Sequence, residues 1–173
     1  VAFGAPVAMM MFELDATKLY DTAVESQGKT FVTTELGGGG TTTPERMAIA
    51  ERGVRNFLIH YGLVEGTLET PAEPQVYVDM PDASCYVQSE HSGLLEMVFA
   101  LGETVRRGDV IARVYDMTRT GAAPVEYRAQ RDGILIARRF PAKVGMGDTI
   151  AVVAEVVESL ERAGSLSAPK LAE

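Results

Sequence analysis

Residues 7–12 form an unbroken apolar run, the pattern of a strand covered on both faces. Leu19, Tyr20, Ala23 and Val24 then share one face of a helix that Asp15 can cap and Gly28 can end. Residues 30–34 are β-branched and short, which predicts a second strand. Glu35, Leu36 and the glycines Gly37, Gly38, Gly39 and Gly40 follow as a loop. Thr43 and Pro44 open a second helix, with proline in its first turn. Met47, Ala50, Val54, Phe57, Leu58 and Tyr61 line one face of it, and Gly62 ends it. Strand, helix, strand, helix predicts a parallel sheet with crossover helices. Two such strands do not make a stable layer. Residues 1–70 therefore read as part of an α/β domain, whose remaining strands would lie upstream of Val1.

Thr70-Pro71-Ala72-Glu73-Pro74 reads as a linker. Beyond it, residues 75–155 are short strands punctuated by glycine turns, and they match themselves. Ser92-Gly93-Leu94-Leu95 corresponds to Asp132-Gly133-Ile134-Leu135. The ten residues from Val105 through Gly108-Asp109 to Val114 correspond to those from Val144 through Gly147-Asp148 to Val153. Each unit alternates strand, loop, Gly-Asp turn and strand, with glycine supplying the positive φ of the turn. One unit cannot bury its apolar side alone, whereas two can close a small sandwich. The expected fold class is thus α/β plus all-β, the second part resembling a lipoyl-like β-sandwich or barrel with an internal repeat. Carrier domains of that type hold a modified lysine between the repeats. Here the connection runs Asp116-Met117-Thr118-Arg119-Thr120-Gly121 without one, so no prosthetic group is expected on it. Residues 156–173 are expected to hold a short amphipathic helix, starting near Glu155, and a tail.

Composition narrows the functional classes. With 16 Lys and Arg against 24 Asp and Glu, the formal charge is −8. That argues against nucleic acid and against an anionic membrane surface, both of which want a basic face. The longest uncharged apolar stretch, residues 1–12, is well short of the roughly 20 residues that cross a bilayer. Cys85 stands alone, which excludes an internal disulfide and fits a reducing compartment such as the cytoplasm. A small-molecule substrate is the expected partner, and a homo-oligomer is compatible with the sequence.

Glu35 is the leading candidate for chemistry. It would stand just past the end of a parallel strand, where open α/β sheets bind ligands. A carboxylate there can act as a general base, and the glycines after it would let a substrate approach the backbone. The alternative is a solvent-facing Glu beside a flexible loop. The glycines are not a phosphate loop, because no Lys-Ser/Thr follows and no G-x-G-x-x-G opens a helix. His60 reads as a favourable helix C-terminal residue and His91 as a turn residue. Tyr127, on a strand after Pro124, and Arg119 could bind a carboxylate; the alternative is a surface strand and loop.

Several segments together carry a resemblance: Phe3-Gly4-Ala5-Pro6, Tyr20-Asp21-Thr22-Ala23, Thr33-Thr34-Glu35-Leu36-Gly37-Gly38 and Arg52-Gly53-Val54-Arg55-Asn56. Glu90-His91-Ser92-Gly93-Leu94, Arg119-Thr120-Gly121 and Pro124-Val125-Glu126-Tyr127-Arg128 add to it. They resemble the succinylglutamate desuccinylase/aspartoacylase family of zinc-carboxypeptidase-like hydrolases, and within it the deacetylase branch of ectoine breakdown. The resemblance implies a zinc-dependent amidohydrolase that removes an acetyl or succinyl group from an N-acyl amino acid. It places the water-activating general base, later the acid, on Glu35, and the family's arginines for the substrate carboxylate upstream of this sequence. The family's zinc ligands, an H-x-x-E motif and a later His, precede the catalytic Glu and do not occur in this sequence. The expectation is therefore a C-terminal portion of such an enzyme, with zinc held by residues outside this chain and the chain alone inactive. The alternative function is a β-domain binding or interaction module without metal.

Overall fold

The computed structural model describes residues 2–9 and 19–159. These fall into two units, one of residues 2–6 and 19–75, the other of residues 7–9 and 76–159. Asp15, expected to cap the first helix, and the residues beyond 159 lie outside the described part. Among the described residues, no helix is long and apolar enough to cross a membrane.

The first unit is helical. Helix α1 spans Tyr20–Glu25 and α2 spans Pro44–His60. The α2 start is as the sequence indicates: the Thr43 hydroxyl accepts the Arg46 N–H at 3.4 Å and Pro44 occupies the first turn. Its packed face is not the predicted one. Met47, Val54 and Tyr61 are exposed, Val54 by 54%. The buried residues are Gly53 and Asn56. The Phe3 ring lies so close to Gly53 that a Cβ there would come within 2.3 Å of it. Asn56 donates to the Glu69 carbonyl at 2.8 Å and accepts the Glu69 N–H at 2.9 Å. Arg52 donates to the Gly4 carbonyl at 3.2 Å. The segments that cover α2 in this unit are thus backbone-rich and seek small and polar partners; of the apolar stripe, Ala50, Phe57 and Leu58 are half-buried and the rest stays open.

The expected strand at residues 30–34 does not form either. No ladder involves it; the local pairing is a bridge between Gly38 and Thr41. β-branched composition favours an extended chain, but a strand needs a neighbour to take its N–H and C=O groups.

The second unit is a pair of sheets. Its strands are β1 Val7–Met9, β2 Val76–Asp79, β3 Tyr86–Gln88, β4 Gly93–Met97, β5 Thr104–Val105, β6 Val110–Tyr115, β7 Val125–Arg128, β8 Gly133–Arg138, β9 Lys143–Val144 and β10 Thr149–Val157. One sheet runs β1-β2-β10-β8-β5, with β3 also paired to β10; the other runs β7-β6-β4-β9. Among the described residues they are open sheets, and no closed barrel is present. Among the described residues only β1 and β2 pair in parallel, so the expected parallel α/β layer is there reduced to two strands. Val7 and Met9 are exposed, against the expectation of cover on both faces. At the far end, Glu155, Val156 and Val157 pair with Asp79, Val78 and Tyr77. The free edge of β2 draws these residues into β10, and the helix expected to start near Glu155 does not start there.

Backbone contacts recur in matched sets. Val105 pairs with Gly133, and Val144 pairs with Gly93. The Gly108 N–H donates to the Ala129 carbonyl, and the Ala129 N–H to the Asp109 carbonyl, both at 2.9 Å. The Gly147 N–H donates to the Ser89 carbonyl at 2.7 Å, and the Ser89 N–H to the Asp148 carbonyl at 2.8 Å. A Cβ on Gly93 would come within 2.2 Å of the Tyr115 carbonyl oxygen, and one on Gly133 within 2.1 Å of that of Ala154. Strand crossing at these points demands the absence of a side chain. Ile111, Ile150, Leu135 and Val105 fill the space between the sheets and are fully buried.

Candidate functional site

Glu35 belongs to the helical unit. The chain leading to it is pinned at two points: the Tyr61 hydroxyl donates to the Thr30 hydroxyl at 3.1 Å, and the Phe31 ring packs edge-on against Tyr20, centroids 5.5 Å apart. From there residues 32–36 run without regular secondary structure to the glycines. Glu35 is exposed, and its carboxylate makes no hydrogen bond or ion pair among the described residues. The glycines have a use of their own. Gly38 and Thr41 bond to each other at 3.2 Å in both directions, with Gly39 and Gly40 at φ of 62° and 73° between them. That is a tight reversal with two left-handed positions, which glycine meets without strain. A Cβ on Gly37 would lie 2.1 Å from the Thr41 carbonyl oxygen. Gly37 is therefore required by its own turn, whereas Gly38 and Gly40 face open space.

Tyr127 and Arg119 belong to the β unit, and the structure treats them differently. Arg119 is exposed in the turn after β6. The Asp116 carboxylate organises that turn, accepting from the Thr118 N–H at 2.8 Å and hydroxyl at 2.7 Å. The Thr118 hydroxyl, then its N–H, hold the Asp116 carboxyl below the usual range, and the nearby Arg119 charge adds to the effect. Tyr127, on β7, is only 8% exposed. Its hydroxyl accepts the Glu90 N–H at 3.0 Å and lies 2.8 Å from His91 Nδ1 and 3.3 Å from Ser89 Oγ. No hydrogen bond joins it to Arg119. Ser89 is 2% exposed, and its hydroxyl lies 2.7 Å from the His91 carbonyl oxygen. His91, which the sequence suggests is a plain turn residue, is thus tied to Tyr127 across 36 positions. His60 ends α2, exposed, its ring edge-on to Tyr61.

The zinc that the resemblance implies must be tested against the side chains present. Among the described residues, no group of three or more His, Cys, Asp or Glu side chains could hold a metal ion. They do not fit a zinc site by themselves, and no zinc-dependent step is assigned to them. What they offer is an exposed carboxylate at Glu35 and a set of polar contacts around Tyr127.

With this geometry in view, known proteins are informative. Residues 1–61 match the model of the succinylglutamate desuccinylase/aspartoacylase catalytic domain. Over 159 residues the chain is 76% identical to an N-alpha-acetyl-L-2,4-diaminobutyric acid deacetylase of Halomonas elongata, covering 92% of this chain and 46% of that protein. The chain belongs to the succinylglutamate desuccinylase/aspartoacylase family. Solved structures of this family agree. The product-bound ectoine utilization protein EutE of Ruegeria pomeroyi superposes with a TM-score of 0.84 at 48% identity, over 89% of this chain and 46% of that one. A succinylglutamate desuccinylase of Silicibacter sp. TM1040 does so with a TM-score of 0.84 at 51% identity, over 90% of this chain and 47% of that one. The chain spans about half the length of the relatives it matches, 46% for the Halomonas protein.

Proposed function

We propose that this chain is the C-terminal portion of a zinc-dependent hydrolase that removes the acyl group from an N-acyl amino acid. N-acetyl-2,4-diaminobutyrate is the first substrate to test, as the name of the Halomonas relative suggests. The supporting observation is that the family match over residues 1–61 includes Glu35, whose carboxylate is exposed and uncommitted among the described residues. In this reading Glu35 takes a proton from the attacking water and returns it to the departing amine. Zinc would be held by residues outside the described part. Arg119, on the β unit, carries an exposed guanidinium of the kind that pairs with a carboxylate. The β unit, with its matched contacts around Gly93 and Gly133, reads as a two-repeat, lipoyl-like sandwich. The lone Cys85 and the negative charge favour a cytoplasmic enzyme. The test is Glu35→Gln in the active polypeptide that carries this segment. Turnover should fall roughly 10²- to 10⁴-fold with zinc content unchanged; near-normal turnover would rule Glu35 out.

A further inference from the structure

The two Gly-Asp turns of the β unit share a backbone but not their side chains. Ala129 is clasped by Gly108 and Asp109 as Ser89 is by Gly147 and Asp148. Arg128 pairs with Val110 on β6 as Gln88 pairs with Thr149 on β10. Stepping one residue from these contacts sets Arg107 against Met146, and Gln130 against Glu90. Met146 is 77% exposed, so its place beside the turn asks for no particular side chain. The turn thus needs no cation where Arg107 and Arg128 stand. Around Gly108 these two arginines line a surface cavity of about 520 Å³, together with Ser84, Ala129 and Gln130. That volume lies in the range of small-ligand sites, roughly 300–1,000 Å³. All of its lining belongs to the β unit.

The lining is a set of donors. Arg128 is held in place, Nη1 donating to the Gly108 carbonyl at 2.9 Å and Nη2 to the Glu126 carboxylate at 2.5 Å. A guanidinium has five N–H groups, so three remain. The Arg107 guanidinium and the Gln130 amide make no hydrogen bond or ion pair among the described residues. Ser84 Oγ accepts from Arg131 Nη1 at 3.4 Å and keeps its own proton to give. No acidic side chain lines the cavity. Asp109 and Asp132 are occupied by the backbone, taking the Arg106 N–H at 2.8 Å and the Arg107 N–H at 2.7 Å. Two guanidiniums, a hydroxyl and an amide suit an anion that accepts in several directions. A phosphate monoester does so with three oxygens and a charge near −2 at neutral pH, whereas a carboxylate is planar and offers two oxygens. We propose that this cavity binds the phosphate group of a small molecule, with Arg128 as the pre-positioned partner and Arg107 as the free one that closes on it. The proposal uses residues of the β unit alone and does not depend on the deacylase reading.

The 173-residue chain labelled with ¹⁵N can be titrated at constant ionic strength, with NMR following the backbone amides of Arg107, Gly108 and Ala129. Inorganic phosphate and glycerol 3-phosphate are the probes, and acetate is the planar control. Saturable shifts centred on these amides are expected with both phosphates and not with acetate. Tighter binding of glycerol 3-phosphate would make an ester the ligand and equal binding would make it free phosphate; either supports the site. Arg107→Met and Arg128→Gln import the residues of the matched turn, whose backbone carries them already. Each should weaken phosphate binding about 10- to 100-fold, the effect of losing a hydrogen bond to a charged group. Should Arg128→Gln not fold, Arg107→Met decides. Shifts that rise without saturating, acetate binding as well as phosphate, or wild-type affinity in folded Arg107→Met would overturn the proposal and leave these arginines as a solvated surface.

Discussion

Glu96, on the open face of β4, receives the Tyr115 hydroxyl at 2.7 Å and the Arg113 guanidinium at 3.3 Å. The tyrosine hydrogen bond first, and the arginine after it, hold the Glu96 carboxyl below its ordinary value. The same bond, from the other side, pushes the Tyr115 hydroxyl above 10.0. A carboxyl held low in the fold favours the folded state above its ordinary pKa, and that contribution is lost as pH falls through the folded value. A raised tyrosine contributes below its ordinary pKa and loses the contribution as pH climbs through the folded one. Tyr115→Phe should therefore move the Glu96 titration up towards that of a free glutamate, followed by NMR of its side-chain carboxyl; an unmoved midpoint would show that Arg113 alone sets it. At this scale the sequence is most legible where one residue meets a local demand. The Gly-Asp turns and the Thr43-Pro44 start can be read because φ and capping are decided within a few positions. Tyr127 and His91 cannot be paired that way, because their contact depends on β3 and β7 settling on opposite sheets. The self-match begins only at Ser92 and does not reach these residues; it is the backbone pairing that sets Tyr127 opposite Ala112 as Val87 is opposite Ala151.

Elements depend on partners, and here the sequence pattern misleads in a consistent direction. Apolar or β-branched residues at 7–9, 30–34 and along α2 are read as buried, yet Val7, Val32, Met47 and Val54 are exposed. Hydrophobic spacing states which face could be covered, and only the neighbouring chain decides whether it is. What holds α2 is a polar clasp that periodicity does not reveal: Asn56, 1% exposed, satisfies both backbone groups of Glu69. Asn56→Ala leaves one N–H and one C=O without their partner, at a cost of about 1–3 kcal/mol for a buried polar group. Asn56→Asp keeps the acceptor but sets a carboxylate oxygen against the Glu69 carbonyl, so it should not rescue. Chemical denaturation and amide exchange at Glu69 would check both. Wild-type protection at Glu69 in Asn56→Ala would mean that other contacts hold this loop.

At the scale of the whole molecule, the family comes through in short motifs, whereas the cover over each apolar segment does not. The β unit can be tested as a unit because its matched contacts predict matched energetics. Val110 and Thr149 begin β6 and β10 just after the two Gly-Asp turns, and Ile111 and Ile150 follow one residue later. Equal spacing from the turn puts both on the inner face, since side chains alternate along a strand. Both are fully buried in the common core, at 0% accessibility. Truncation to Ala removes the same atoms from the same kind of site, so the costs should be similar, each on the order of 2–5 kcal/mol. The two sites share one cluster of packed residues, so the double variant should depart from additivity through their common cavity. Equilibrium denaturation followed by a probe in the β unit would read all three values. A loss at one isoleucine with near-wild-type stability at the other would show that the two halves carry unequal loads, and the two-repeat reading would fall with it, leaving the proposal for Glu35 untouched.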